Sequence, residues 1–499
     1  MYVDYSVKNG KTYARLSNSV RNGDKVEKED IGNLGRVLDK GRGIYRSRER
    51  GVFTFDLKTG EYGSAPADFV PTETKKCRKE HLILDFGDIF FLDWYVMDSG
   101  LRPPIDAVGY GNADTLYAMI CYYVLCSMAN SHAESWWEGS YARILYPRAN
   151  LSSQRISDFL AAIGDEHSQR AFFRKYFVRL GQSGVQLTNV LIDSTGLPNS
   201  VHFPLTAISN RNGEISNEVR LIYVVHYKTG LPIYFRYCAG NIIDATTLIR
   251  CVEELKAMGV DVKFAILDAG YYTNGNIREL CEKKISFISR VKENYKLYKE
   301  LVAAHLGTLA EKENLVEYNG RYVFLECVEC EAEGHHAYAY VGLDIDRKSS
   351  EAQKTFKRAV VKKLSTGKVF DAMEKQGVFI LISSRRIAKM KVLPLYYARQ
   401  QIEQVFDIGK NYAEMLPIRV HSEETFRGHL LLTFIATVVI KQIQNALART
   451  AITPLSLFLD LRNQKCKVYD DRVIAQEAFK KANDCYKHFE LECPVVIPR

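Results

Sequence analysis

The order of hydrophobic patterns between residues 188 and 292 limits the folds open to this chain more than any other feature. TNVLIDSTG is a short apolar run that ends in an aspartate, and RLIYVVHYKTGLPIYFRY, Arg220 to Tyr237, is two β-rich runs around the turn Lys228-Thr229-Gly230, hence a hairpin. DATTLIRCVEELKAM follows, capped by Asp244, with Leu248, Cys251, Val252 and Leu255 at helical spacing. The strand VKFAILD, a helix from about Asn274 to Lys284 and the strand ISFISRV complete the series. The order β-β-β-α-β-α-β predicts an α/β fold.

Other patterns flank this segment. The first 60 or so residues read as strands, with Tyr2, Val3, Tyr5, Val7 and later Val52 to Phe55 separated by NG, GR and TG turn signals. Residues 1 to 50 hold twelve Lys and Arg against seven Asp and Glu, so much of the chain's net charge of +9 sits there, as a solvated basic face or a phosphate-contacting segment. From Leu82 to Leu180 the pattern is helical. In it LSSQRISDFLAAIG, Leu151 to Gly164, buries Ile156, Phe159 and Leu160 on one face and leaves Gln154, Arg155 and Ser157 elsewhere; such a helix is a plain amphipathic element or a recognition helix. From Tyr295 to Leu393 strands dominate, with YVFLECVEC and HAYAYVGLD around Glu333-Gly334. A long helical pattern then runs from Leu393 to Ala413, and a second, largely apolar helix from Phe426 to Leu447 is expected to lie buried. The divisions are therefore a basic β-containing module (1–80), a helical region (81–185), an α/β domain (186–294 and 394–450) with a β-rich insertion (295–393), and a C-terminal tail (451–499).

The mixture of 46% hydrophobic and 25% charged residues excludes a disordered or collagen-like chain. The longest apolar run, Leu430 to Ile440, falls short of the roughly 20 residues that span a bilayer, so no membrane association is expected. Eleven scattered cysteines and an opening MYVDYSVKNGKTYARL without the apolar core of a secretion signal fit reduced thiols in the cytoplasm.

Two aspartates stand where α/β folds build sites. Asp193 ends the run Val190-Leu191-Ile192 and Asp268 ends Phe264-Ala265-Ile266-Leu267, which puts both carboxylates at the C-terminal rim of neighbouring strands. Hard cations such as Mg²⁺ are held by such carboxylates; the plain alternative is that each aspartate begins a turn. In YYARQQIEQVFDIGK, the residues Tyr396, Arg399, Glu403 and Lys410 fall within about 60° of one another on a helix of about 100° per residue. Leu395, Ala398, Ile402, Val405 and Phe406 fill the apolar side. That stripe shows a ligand one carboxylate and two cations, or else is a salt-bridged surface, since Arg399 and Glu403 are an i, i+4 pair.

Tyr-x2-Arg-x3-Glu-x6-Lys, matched here by Tyr396, Arg399, Glu403 and Lys410, resembles the signature of one large branch of bacterial insertion-sequence transposases with a DDE catalytic triad. The resemblance covers roughly residues 185 to 450. It implies a ribonuclease H-like catalytic domain with a β-rich insertion, preceded by a small β module and a helical DNA-binding region. It further implies that Asp193, Asp268 and Glu403 are catalytic and hold two Mg²⁺ ions, with Mn²⁺ as an alternative. Tyr396, Arg399 and Lys410 would bind DNA next to the scissile bond. The implied partners are double-stranded DNA, both inverted-repeat ends and target, and a second copy of the chain in a homodimeric synaptic complex. The implied setting is the bacterial cytoplasm, in association with the nucleoid. The implied reaction is metal-dependent strand cleavage and strand transfer. The alternatives are a DNA-binding regulator that keeps the fold without catalysis and a nuclease without strand transfer.

One departure bears on the cleavage route. Some relatives stack a flipped base on a tryptophan in the insertion, whereas Trp94, Trp136 and Trp137 all precede it, leaving Tyr322, Tyr338 or Tyr340 as candidate rings. Cys327-x2-Cys330 with His335 and His336 has zinc-like residue types but lies along two strands of one hairpin. Ser194 and Thr195 lack an accompanying histidine and acid and read as turn residues, and His202 and His226 as structural.

Overall fold

The structure is a computed structural model that describes every residue except 9, 10, 23, 24, 48, 67, 68, 70–81, 200–204, 212, 213, 243 and 363–374. The expected structural histidine His202 lies outside the described residues. Two units are distinct, Met1–His81 and Leu82–Arg499.

The first unit is one antiparallel sheet whose strands follow each other in sequence: β1 (Tyr2–Lys8), β2 (Lys11–Asn22), β3 (Lys25–Asp39), β4 (Ile44–Ser47), β5 (Gly51–Phe55) and β6 (Tyr62–Ser64). Its small core is Ala14, Leu16, Leu34, Tyr45, Phe53 and Phe55. Gly35, at φ +82°, lets β3 pass β4 closely, because a Cβ there would meet the Arg46 carbonyl oxygen at 2.3 Å.

The second unit begins with β7 (Leu82–Asp85) and a helical layer: α1 (Gly87–Asp98), α2 (Arg102–Asp106), α3 (Ala113–Leu125), α4 (Ala133–Gly139), α5 (Ala142–Leu145), α6 (Ser153–Ile163) and α7 (Glu166–Gln182). A sheet and its helices follow: β8 (Asn189–Pro198), β9 (Ala207–Arg211), β10 (Glu214–His226), β11 (Pro232–Ala239), α8 (Asp244–Ala257), β12 (Phe264–Leu267), α9 (Asn274–Glu282) and β13 (Ser286–Arg290). Next come α10 (Lys296–His305), β14 (Leu315–Tyr318), β15 (Arg321–Ala332), β16 (His335–Asp344), α11 (Ile345–Lys362) and β17 (Val378–Ser383). The strand order is β11-β10-β8-β12-β13-β17-β16-β15-β14, with β9 on β10. β8, β12 and β13 run parallel at its centre, and their neighbours are antiparallel.

Two features differ from the sequence reading. The segment 295 to 393, expected as a β-rich insertion, also holds the helices α10 and α11, and its strands extend the central sheet through β17. Apolar alternation reveals strands but not which partner they will choose. The strand expected to stop at Asp193 continues to Pro198, because β10 still pairs with it on one side, from Tyr223↔Asp193 to Glu218↔Pro198, after β12 has ended on the other.

Beyond β17 the chain forms α12 (Lys389–Tyr397), α13 (Gln400–Asn411), α14 (Glu423–Ala446), α15 (Pro454–Arg462), β18 (Lys465–Val468), β19 (Arg472–Ala475), α16 (Lys480–His488) and β20 (Val496–Pro498). The helix expected from Leu393 to Ala413 is two helices. Pro394 sits inside α12, and at Ala398–Arg399 the backbone tightens to i→i−3 bonds, Arg399 N to Tyr396 O at 3.3 Å and Ile402 N to Arg399 O at 2.9 Å. α14 is long and apolar enough to cross a membrane, yet 89% of its apolar window is buried inside the protein. Its start is fixed by a capping box of Ser422 and Thr425.

The C-terminal residues complete the helical layer. β20, β19, β18 and β7 form one four-stranded sheet, which joins the last residues of the chain to the start of the unit. Arg462 donates from Nε to Asp88 Oδ2 at 2.6 Å and from Nη2 to the Leu125 carbonyl at 2.8 Å. Asp88 is 1% exposed, and burial raises its pKa against the opposing pull of Arg462. Arg462→Ala leaves that carboxylate buried without its cation and is expected to cost about 3–5 kcal/mol in urea unfolding at neutral pH. Asp88's pKa is raised in the folded state, so the folded form binds the extra proton and stability falls as pH rises above the normal carboxylate range. The loss in Arg462→Ala is therefore expected to be smaller near pH 4 than at pH 8.

Candidate functional site

The parallel register of the central strands sets the site. Leu267 of β12 lies beside Ile192 of β8, so the next residues, Asp268 and Asp193, emerge side by side at one rim of the sheet. Asp268 immediately precedes a short 3₁₀ turn without a side-chain bond to it, and its carbonyl accepts from Ser289 Oγ of β13 at 3.3 Å. Asp193 Oδ1 accepts from the backbone N–H of Ser194 at 2.8 Å. Glu403 stands in the first turn of α13, with its side chain 61% exposed.

Arg399 draws these three carboxylates together. Its Nη1 lies 2.7 Å from Asp268 Oδ1, and its Nη2 lies 3.5 Å from Asp193 Oδ2 and 3.6 Å from Glu403 Oε1. Burial would lower the Arg399 pKa, but Asp268, with Tyr396, Asp193 and Glu403, outweighs it and holds the guanidinium above its ordinary value. Arg399 Nε is buried without a hydrogen-bond partner.

The other two signature residues differ in exposure. Tyr396 was expected on the ligand-facing stripe, but the tightened turn after α12 leaves it 3% exposed, with its hydroxyl buried against the Arg399 guanidinium without a well-formed hydrogen bond. Burial pushes that hydroxyl up to about 12. Lys410 is half-buried, donates from Nζ to Thr195 Oγ1 at 2.6 Å, and is lowered by burial. Ile402, Val405 and Phe406 are buried as expected, whereas Leu395 and Ala398 are only partly covered.

Several residues missed in the sequence complete the surroundings. Glu218 and Arg220 form a buried pair at 3.2 Å beside β8, and Arg220 Nη1 reaches Ser194 Oγ at 3.4 Å. Gly196 permits this pair, since a Cβ there would meet Glu218 Oε2 at 2.1 Å. Two opposite charges in the strand EISNEVRLIYVVH were the available signal. A groove of about 610 Å³ runs along α12, lined by Tyr227, Arg385, Arg386, Lys391, Leu395 and Ala398 among others, with no acidic residue. Its signal was the dipeptide Arg385-Arg386 followed by Lys389 and Lys391.

The remaining candidates resolve simply. Tyr340 is fully buried and donates to the Ile387 carbonyl at 2.7 Å, so it presents no ring; Tyr322 is 59% exposed and Tyr338 half-buried. His226 hydrogen-bonds Thr229 Oγ1 at 2.8 Å within the hairpin turn. Among the described residues no group of three or more His, Cys, Asp or Glu side chains stands arranged to hold a metal ion, which covers Cys327, Cys330, His335 and His336. The same holds of Asp193, Asp268 and Glu403, where the Arg399 guanidinium lies within 3.6 Å of each carboxylate. Those carboxylates still fit a divalent ion in kind, since they are all-oxygen donors from three elements already gathered around one cation.

Residues 187–439 match a family model described as the transposase DDE domain. A cryo-EM structure of a piggyBac transposase synaptic complex with hairpin DNA is similar over 78% of this chain and 81% of that chain, at 11% identity and a TM-score of 0.38. No curated protein matches.

Proposed function

Since the chain belongs to the transposase DDE-domain family of DNA-cleaving enzymes, we propose that it is a cut-and-paste transposase of the insertion-sequence branch that carries the Tyr-x2-Arg-x3-Glu-x6-Lys signature. The observation that carries this reading is the convergence of Asp193, Asp268 and Glu403 on one cation at the rim of the central strands. The strand order β11-β10-β8-β12-β13, with α8 and α9 between the parallel strands, supports a ribonuclease H-like core.

In this reading Asp193, Asp268 and Glu403 would hold two Mg²⁺ ions, or Mn²⁺ ions. When bound, these would activate a water or a 3′-hydroxyl and stabilise the leaving oxygen. Arg399 pairs with a phosphate through its planar fork, and Lys410 acts as a point charge beside it. Tyr396, buried behind Arg399, shapes the guanidinium's surroundings instead of meeting DNA itself. The groove of Arg385, Arg386 and Lys391 offers a continuous anion-binding track for the DNA backbone along α12. The module 1–80 and the helical region 81–185 bind the inverted-repeat ends, two copies act together on a pair of ends, and the setting is a bacterial cytoplasm.

The test is a cleavage and joining assay on DNA that contains both gene-flanking regions, with Mg²⁺ or EDTA. Metal-dependent cuts at both flanks, with the ends joined to a second plasmid, are expected. Cuts without joining would make the protein a nuclease, and specific binding without cuts a regulator.

A further inference from the structure

We propose that Arg399 is an internal counter-ion that closes the carboxylate triad to metal until a DNA phosphate draws it away, so that DNA binding and metal loading are coupled. The inference rests on the proposed metal site and adds its regulation.

Mg²⁺ binds oxygen at about 2.0–2.1 Å and needs the centre of its ligands. The two terminal nitrogens of Arg399 lie within 2.7 to 3.6 Å of an oxygen of all three carboxylates, against the oxygens such an ion would need. A guanidinium and a divalent cation cannot share them, sterically or electrostatically. Metal binding therefore requires Arg399 to leave, and the three ion pairs it gives up weigh against the metal.

The present pose is also incomplete. Arg399 Nε makes no well-formed hydrogen bond in its buried place, and the Tyr396 hydroxyl interacts only loosely with the guanidinium itself, a cost that another pose can relieve. Arg399 sits at the tightened junction between α12 and α13, next to Ala398 at the end of the basic groove. A phosphate arriving along that groove meets a planar fork suited to bidentate pairing. Once Arg399 has turned to it, the triad regains its negative charge and its oxygens. Linkage makes the effect reciprocal: DNA raises metal affinity by the same factor by which metal raises DNA affinity.

The experiment is calorimetric titration of Mn²⁺ alone into the full-length protein, with no turnover read. Wild type, Arg399→Ala, Arg399→Gln and Asp268→Asn are compared, each checked for native circular dichroism. Both Arg399 variants are expected to bind Mn²⁺ at least about fivefold more tightly than wild type. A duplex carrying the gene-flanking sequence is expected to tighten Mn²⁺ binding by a similar factor in wild type and to have little effect in the variants. Unchanged Mn²⁺ affinity in both Arg399 variants overturns the counter-ion role whatever Asp268→Asn does. Unchanged affinity in Asp268→Asn would fail the metal reading itself, so the two failures are distinguishable.

Discussion

Asp268→Asn is expected to lower metal-dependent DNA cleavage at least about a thousandfold while DNA binding persists. Asparagine keeps the size of the side chain and one acceptor oxygen but loses the charge that a divalent ion requires. A bound ion contributes several kcal/mol to stabilising charge at the transition state, and about 4 kcal/mol corresponds to a thousandfold in rate. The local fold has little reason to change. The Asp268 backbone carbonyl keeps its bonds from Ser289 Oγ and the Tyr271 N–H, and the side chain caps no helix. Arg399 loses its shortest ion pair, at 2.7 Å, but retains Asp193 and Glu403. Glu403→Gln should act in the same direction. Its side chain is more exposed, so a loss of cleavage there cannot be assigned to unfolding. Either variant cleaving at the wild-type rate sinks the catalytic assignment.

The sequence made the position of the two aspartates legible because local pattern was enough. Two parallel apolar runs of one sheet, each followed at once by an aspartate, bring those residues to neighbouring places where the parallel pairing ends, at Ile192 and Leu267. The length of β8 was not legible, because it depends on β10 continuing to pair beyond Asp193. The helical stripe was only partly legible. Its angular arithmetic assumed a straight helix, whereas the proline within α12 and the tight turn after it rotate Tyr396 inward and bring Arg399 into the triad. Glu403 keeps its i, i+4 relation to Arg399 because both lie on the same side of that break. The closing of the chain was not legible at all: β18 to β20 are short, and their partner β7 lies almost four hundred positions earlier. Long-range pairing of this kind leaves no local mark, and the buried Asp88 and its partly exposed partner Arg462 look like ordinary surface charges in sequence.

Gly428→Ala is expected to destabilise the second unit by about 3 kcal/mol, even though alanine is the better helix former by about 1 kcal/mol. α6 and α14 cross with their backbones in contact. A Cβ on Gly428 would lie 1.9 Å from the Leu160 carbonyl oxygen and 2.7 Å from its carbon, and a Cβ on Gly164 would lie 2.0 Å from the Glu424 oxygen. Neither obstacle is a flexible side chain, so the helices themselves must part. Parting uncovers Ile156, Phe159 and Leu160 on α6 and Phe426 and Leu430 on α14, all now 2% exposed or less. Gly181→Ala is the control, since nothing lies within 4 Å of the added methyl group. It should leave the urea midpoint unchanged or raise it slightly. The displacement also bears on the site, because Lys441 of α14 donates to Gln404 of α13 at 3.2 Å, one residue after Glu403. A shifted α14 therefore moves the helix that carries the third carboxylate. Gly428→Ala should then lose cleavage at a temperature well below its own unfolding midpoint, while Gly181→Ala keeps cleavage up to its midpoint. Equal midpoints for the two variants would show that the crossing can relax, and that the helices are held apart by less than their backbones.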